Sequence, residues 1–316
     1  MSTATLVPET RGLSGEDAVT TLRRVGRRRL VVNAFMRLRV ADGFSHARSL
    51  AYMTSLVAVQ GVIAAVGLAV ATGGNRFSDV VVATLKTVVP GPAGGVLATA
   101  VAQANASGTE HRYPAIVFGL VGSLVTATTA FGQIERGLNR LYGVEQDRPS
   151  VAKYARAFLL AVTSGTLTAL AFVFVALGRD VVDGVAWNVA RWPLGLVLIL
   201  LAITLLLHTC PRRRQPQLSW LAFGAAVATG LWVVVTAGLG LFFRMSKSFG
   251  QTYGPLAGVV GLLLWALLSA VSLFYGAAIA AQLEAERQGD PGPQDPHKVE
   301  ESEPKSAQGP IVVGAR

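Results

Sequence analysis

The stretch Ser248–Glu284, SFGQTYGPLAGVVGLLLWALLSAVSLFYGAAIAAQLE, decides the fold. From Gly254 onward it carries no charged residue until Glu284. An α-helix rises about 1.5 Å per residue, so about 20 apolar residues cross a hydrocarbon core of about 30 Å. This run is longer, enough to span with tilt or to extend past the interface. Pro255 suits the first turn of a helix, where its missing N–H is not required. The polar, aromatic turn before it, with Phe249, Gln251 and Tyr253, leads into the span.

Five more uncharged runs precede it: Leu50–Thr72, Pro114–Ile134, Ala157–Gly178, Pro193–Cys210 and Leu218–Phe243, with the last run taken as Gly254–Leu283. Each is continuous, whereas barrel strands alternate apolar and polar residues in short segments. Of the 316 residues 52% are hydrophobic and 15% charged, against about 25% charged in a soluble domain. The expected class is an all-α polytopic membrane protein with six transmembrane helices.

The net charge of +10 would suit nucleic acid, but its distribution points elsewhere. Residues 1–49, 135–156, 211–217 and 284–316 hold 21 of the 28 Lys and Arg. Basic residues collect on the cytoplasmic side, so both termini are expected there, and an even number of spans keeps the alternation. This gives a basic cytoplasmic segment at 1–49, a six-helix membrane domain at 50–284 and a cytoplasmic tail at 285–316. Anionic membrane lipids are the expected partners, and no nucleic acid is expected. Residues 1–49 lack the isolated apolar core of a cleaved signal peptide.

Met1–Ala18 is polar and reads as loosely ordered. Val19–Val40 interleaves Arg23, Arg24, Arg27, Arg28 and Arg29 with Leu22, Val25, Val32 and Met36. Two uses are open for it: an interfacial helix on the anionic leaflet, or a positive flank that only sets orientation. In the first extracytoplasmic loop, Phe77–Val89 and Ala93–Ala106 read as two short helices broken at Pro90-Gly91-Pro92. The tail from Ala285, rich in Pro, Gly, Glu and Lys, reads as disordered.

Chemistry is marked mainly by what is missing. No Asp, Glu, Lys or Arg lies inside the six runs, and intramembrane ionisable groups are the usual mark of proton relays. The four histidines are dispersed without H-E-x-x-H spacing, and no phosphate-binding glycine loop occurs. The single Cys210 excludes an intrachain disulfide. No catalytic residue, metal ligand or cofactor is expected, and the protein is read as not an enzyme. Gln60, mid-span, bonds a neighbouring helix or lines a pathway. On the cytoplasmic side Gln133, Glu135, Arg136, Asn139, Arg140 and Tyr142 form a polar constellation. Arg136 and Arg140 with Asn139 suit a lipid phosphate; the alternative is that Glu135 neutralises a neighbouring arginine. Tyr253 completes the candidate contacts.

Leu50-Ala51-Tyr52, ERGLNRLYGV at 135–144, Leu207 with Pro211-Arg212, and Phe249…Tyr253-Gly254…Leu264-Trp265…Gly276-Ala277 occur in an order that resembles the YihY/BrkB family. The resemblance runs from about Arg37 to Glu284. It implies a multi-pass protein of the bacterial inner, or plasma, membrane with six helices and an association with envelope integrity or virulence. An older ribonuclease label for such proteins has no counterpart in these residues. Two positions depart from the family pattern: Gln60 stands where a proline is usual, and Ala278 where a glutamate is usual.

Three functions follow as expectations. One is translocation or handling of lipids or amphiphilic envelope precursors, drawing on small-residue faces such as Gly254…Gly258 and Ala226…Gly230. Another is a non-transporting membrane scaffold for envelope machinery. The third is a membrane-bound ribonuclease.

Overall fold

The computed structural model describes residues 3–72, 82–84, 88–95, 97–99, 112–176, 185–246, 252–253, 256–289 and 293. Among them all regular structure is helical. Eight helices have bounds among the described residues, in order: α1 (Gly15–Val25), α2 (Arg27–Val40), α3 (Gly43–Thr72), α4 (Arg112–Leu141), α5 (Ser150–Ala176), α6 (Val185–Thr209), α7 (Leu218–Met245) and α8 (Leu256–Arg287). Five of these, α4 to α8, are long and apolar enough to cross a membrane. α3 has 30 residues, as many as α4, but its side chains beyond residue 61 lie outside the described residues.

The six long helices pack in a circuit: α3 on α4, then α5, α6, α7 and α8, with α8 back against α3. Tight approach needs small residues, because lipid removes the hydrophobic drive between helices. A Cβ on Gly224 of α7 would lie 2.7 Å from Gly276 O, and one on Gly276 would lie 2.5 Å from Gly224 O. The crossing is therefore at Gly224 and Gly276. The face expected at Ala226 and Gly230 is exposed, and a Cβ on Gly230 meets nothing within 4 Å. Hydrophobic packing gathers at two ends. Leu38, Leu138, Leu207, Trp220 and Phe274 fill the basic end, and Val89, Leu97, Leu239 and Trp265 the far end.

The N-terminal quarter differs most from expectation. Val19–Val40 is two helices, broken at Gly26, whose φ of +86° suits glycine. α1 starts at a reciprocal Ser14–Asp17 cap, which satisfies donors that a helix start leaves open. Hydrogen bonds from Ser14 hold the Asp17 carboxyl below its ordinary value. The segment before it is not loosely ordered from residue 3 onward. Ala4 N donates to Arg140 O at 3.2 Å, Val7 N donates to Tyr142 O at 3.0 Å, and Val7 is buried. Gly143, at φ +78°, lets this strap run directly against its backbone at Leu6.

Elsewhere the expectations and the fold largely meet. Around the Pro90–Pro92 turn, residues 82–84 and 88 on one side and 92–95 and 97–99 on the other are helical. The remainder of the two expected loop helices lies outside the described residues. α8 runs past the expected boundary at Glu284 to Arg287, with Ala285 fully buried. The expected disorder of the tail concerns residues that are almost all outside the described set.

Candidate functional site

Two features stand out, at opposite ends of the bundle. At the basic end, the last turns of α8 present Gln282, Glu284 and Glu286 to the segments around them. Arg37 of α2 is fully buried. Its Nε donates to Gln282 Oε1 at 2.8 Å, and its Nη1 donates to Thr5 O and Leu141 O, each at 3.0 Å. Arg213 Nη2 donates to Glu284 Oε1 at 2.7 Å, and Thr10 Oγ1 donates to the same oxygen at 2.5 Å. Asn33 Nδ2 donates to Glu286 Oε1 at 2.8 Å. Buried charges need such partners, since burying one alone is costly. Arg37, read from the sequence as one of many basic residues, is an internal tie rather than a lipid contact.

Beside this hub two members of the expected constellation, Arg136 and Asn139, meet an anion of the protein's own. Asp147 Oδ2 receives Lys153 Nζ at 2.8 Å and Arg136 Nε at 3.3 Å, and Asp147 Oδ1 receives Asn139 Nδ2 at 3.0 Å. Burial alone would raise the Asp147 carboxyl, but hydrogen bonds from Lys153, Asn139 and Arg136 outweigh it and hold it below its ordinary value. Asn139 is fully buried, and its Oδ1 accepts Arg212 N at 2.8 Å. Arg136 keeps 39% of its side chain exposed. Arg140 Nη1 donates to Thr3 Oγ1 at 3.1 Å. Glu135 pairs with Arg148 Nη1 at 3.1 Å, and Arg148 also donates to Cys210 O and Pro211 O.

The remaining candidates are spread out. Gln133 Nε2 lies 3.1 Å from His46 Nδ1, joining α4 to α3. Tyr142 is fully buried beneath the Arg213 guanidinium, 4.6 Å from its ring centroid. Burial pushes its phenol far above the usual range. Gln60 faces α4, where a Cβ on Gly122 would lie 3.4 Å from its Cδ. Tyr253 is exposed near the far end. Among the described residues no three His, Cys, Asp or Glu side chains gather as metal ligands do.

At the far end lies a cavity of about 800 Å³ between the outer parts of α5, α6 and α7, floored by Val88 and Pro90–Pro92. Phe172, Trp192, Leu196, Trp232 and Phe243 give it apolar walls, and Arg244 stands in its lining. Its border residues Trp192, Val233 and Leu241 are exposed on the outer surface of the helices, so the cavity continues to the surface that lipid would cover. Its size falls within the range of small-molecule sites, about 300–1,000 Å³. None of the expected site residues lines it. Gaps of this kind depend on how helices splay, and runs of Leu, Val and Trp look alike whether they face lipid, a neighbour or a void.

The helices and their composition define a multi-pass membrane protein. The chain matches the virulence factor BrkB family over residues 34–301 and belongs to that family. It is 24% identical over 178 residues to YfkH of Bacillus subtilis, a protein named ribonuclease-like, covering 52% of this chain and 64% of that one. It is 28% identical over 192 residues to a UPF0761 membrane protein of Alteromonas mediterranea, covering 57% and 63%. With a UPF0761 membrane protein of Azoarcus sp. it shares 27% identity over 269 residues, 79% of this chain and 64% of the relative. The chain thus spans less than two thirds of the length of these relatives. No solved structure matches it.

Proposed function

We propose that this BrkB-family protein lies in the bacterial cytoplasmic membrane, crosses it six times with both termini cytoplasmic, and binds and moves lipids or amphiphilic envelope precursors. One observation carries this reading: an apolar cavity of about 800 Å³ that reaches the lipid-facing surface. A rigid, charge-tied basic end and an open far end together suit a bundle that admits a hydrocarbon chain sideways. α2 adds a contact with the anionic inner leaflet, since its exposed Val31, Val32 and Phe35 are flanked by the exposed Arg28 and Arg39. In this threading the cavity opens in the extracytoplasmic half.

Reconstituted protein is expected to exchange fluorescent lipids between leaflets faster than protein-free vesicles do. Equal rates would overturn translocation. No covalent step is part of this reading, so purified protein with divalent metal is expected to leave RNA intact, despite the ribonuclease-like name of YfkH. A phosphatase fused within residues 211–217 is expected to stay inactive. Activity there would reverse the threading.

A further inference from the structure

We propose that the far-end cavity selects an anionic membrane amphiphile, with the charged head beside Arg244 and the chain running between Trp192 and Trp232. This rests on the reading of the cavity as an amphiphile site and adds the sign of the head group.

The lining is asymmetric. Arg244, exposed at the end of α7, is its one charged group among the described residues, and no carboxylate contributes to it. From Arg244 the lining runs along α7 through Gly240, Thr236 and Trp232. That is a little over three helical turns, about 18 Å at 1.5 Å per residue. Half a hydrocarbon core is about 15 Å, so the cavity reaches from an interface toward the midplane, the depth of one leaflet's chain. A head with net negative charge gains from Arg244 at the mouth. A zwitterionic head brings its own cation to the same place and loses most of that gain. One basic side chain near the membrane surface changes the affinity of an anionic partner about fivefold.

Trp192 and Trp232 provide the readout, because brominated acyl chains quench tryptophan on contact. The protein is reconstituted in phosphatidylcholine with increasing fractions of dibrominated phosphatidylglycerol or dibrominated phosphatidylcholine. The signal of interest is the quenching lost in a Trp192→Phe/Trp232→Phe variant. Half-quenching is expected at an at least fivefold lower fraction of the anionic lipid. Arg244→Gln is expected to reduce that preference about fivefold and leave the phosphatidylcholine curve in place. Coincident curves in the unaltered protein, or a preference untouched by Arg244→Gln, would overturn the proposal. A filled cavity, Ala237→Phe/Gly240→Leu, tests the underlying reading separately. If filling leaves both curves unchanged, the cavity holds no amphiphile; if it removes the quenching while the two lipids behave alike, only the charge selectivity is wrong.

Discussion

Arg213 and Glu284 form an ion pair of 2.7 Å in which the side chains are only 2% and 0% exposed. It ties the α6–α7 connection to the end of α8, and Thr10 brings the N-terminal strap to the same carboxylate. Removing one member of such a pair leaves an uncompensated buried charge, at a cost of about 3–5 kcal/mol, whereas replacing both with apolar groups is often neutral. Arg213→Met and Glu284→Met are therefore expected to destabilise strongly alone and much less together. Cys210 is the single cysteine and is fully buried, so a thiol-reactive fluorophore reports unfolding directly. Additive losses in the double variant would show that the two side chains are not coupled.

Arg37 holds the strap from the other side. Besides Gln282 it reaches Thr5 twice, through Nη1 to the carbonyl and Nη2 to Oγ1 at 3.2 Å. Lysine lacks the forked donors for this set. Arg37→Lys is expected to lower stability by about 2–4 kcal/mol and to loosen residues 3–13 from the bundle. Trypsin should then cut at the exposed Arg11 several-fold faster than in the unaltered protein. Unchanged cleavage at Arg11 would mean that Arg37 does not secure the strap.

These two ties also show where the sequence is legible. Long uncharged runs reveal helices because backbone groups in lipid must bond internally, and α4 to α8 follow them closely. Their extension into charged flanks, as in α8 to Arg287, is hidden because helical bonding continues beyond the apolar stretch. The strap could not be foreseen: Ala4, Leu6 and Val7 are a few apolar residues in a polar tail, and Ala4 and Val7 are buried where the chain passes against Gly143 at Leu6. Arg37 is one of nine basic residues before Leu50, and spacing does not distinguish an inward arginine. One signal was present at the hub. Gln282 and Glu286 lie four apart and bond each other at 3.2 Å, after a long stretch without charge.

The crossing of α7 and α8 makes a sharper steric prediction. At Gly224 and Gly276 an added Cβ would meet backbone oxygen of the facing helix, which cannot move aside as a side chain can. Either glycine changed to alanine is expected to cost about 1–3 kcal/mol. Gly230→Ala, six residues along α7 from Gly224, meets nothing within 4 Å and is expected to be neutral or to stabilise by up to about 1 kcal/mol. The Cys210 unfolding midpoint separates these cases. A loss at Gly230 equal to that at Gly224 would show that close approach of the facing backbone is not what sets the cost, since helix propensity alone favours alanine at both positions.

His46 makes stability depend on pH. It sits one turn before the apolar run at Leu50, buried, with Nδ1 against Gln133 and Nε2 without a partner among the described residues. Burial lowers its pKa, with Arg136 and Arg140 acting in the same direction and Asp42 and Asp147 opposing them. The unfolded chain therefore takes up a proton at about pH 6.5 while the folded protein still resists it. In that window the unfolded state binds more protons, so stability rises with pH and is lost as pH falls below about 6.5. His46→Gln removes the titration while keeping a polar partner for Gln133. The Cys210 unfolding midpoint, compared with that of the unaltered protein from pH 7.5 to 5.5, should fall less steeply in the variant. Parallel profiles would show that His46 does not set this dependence.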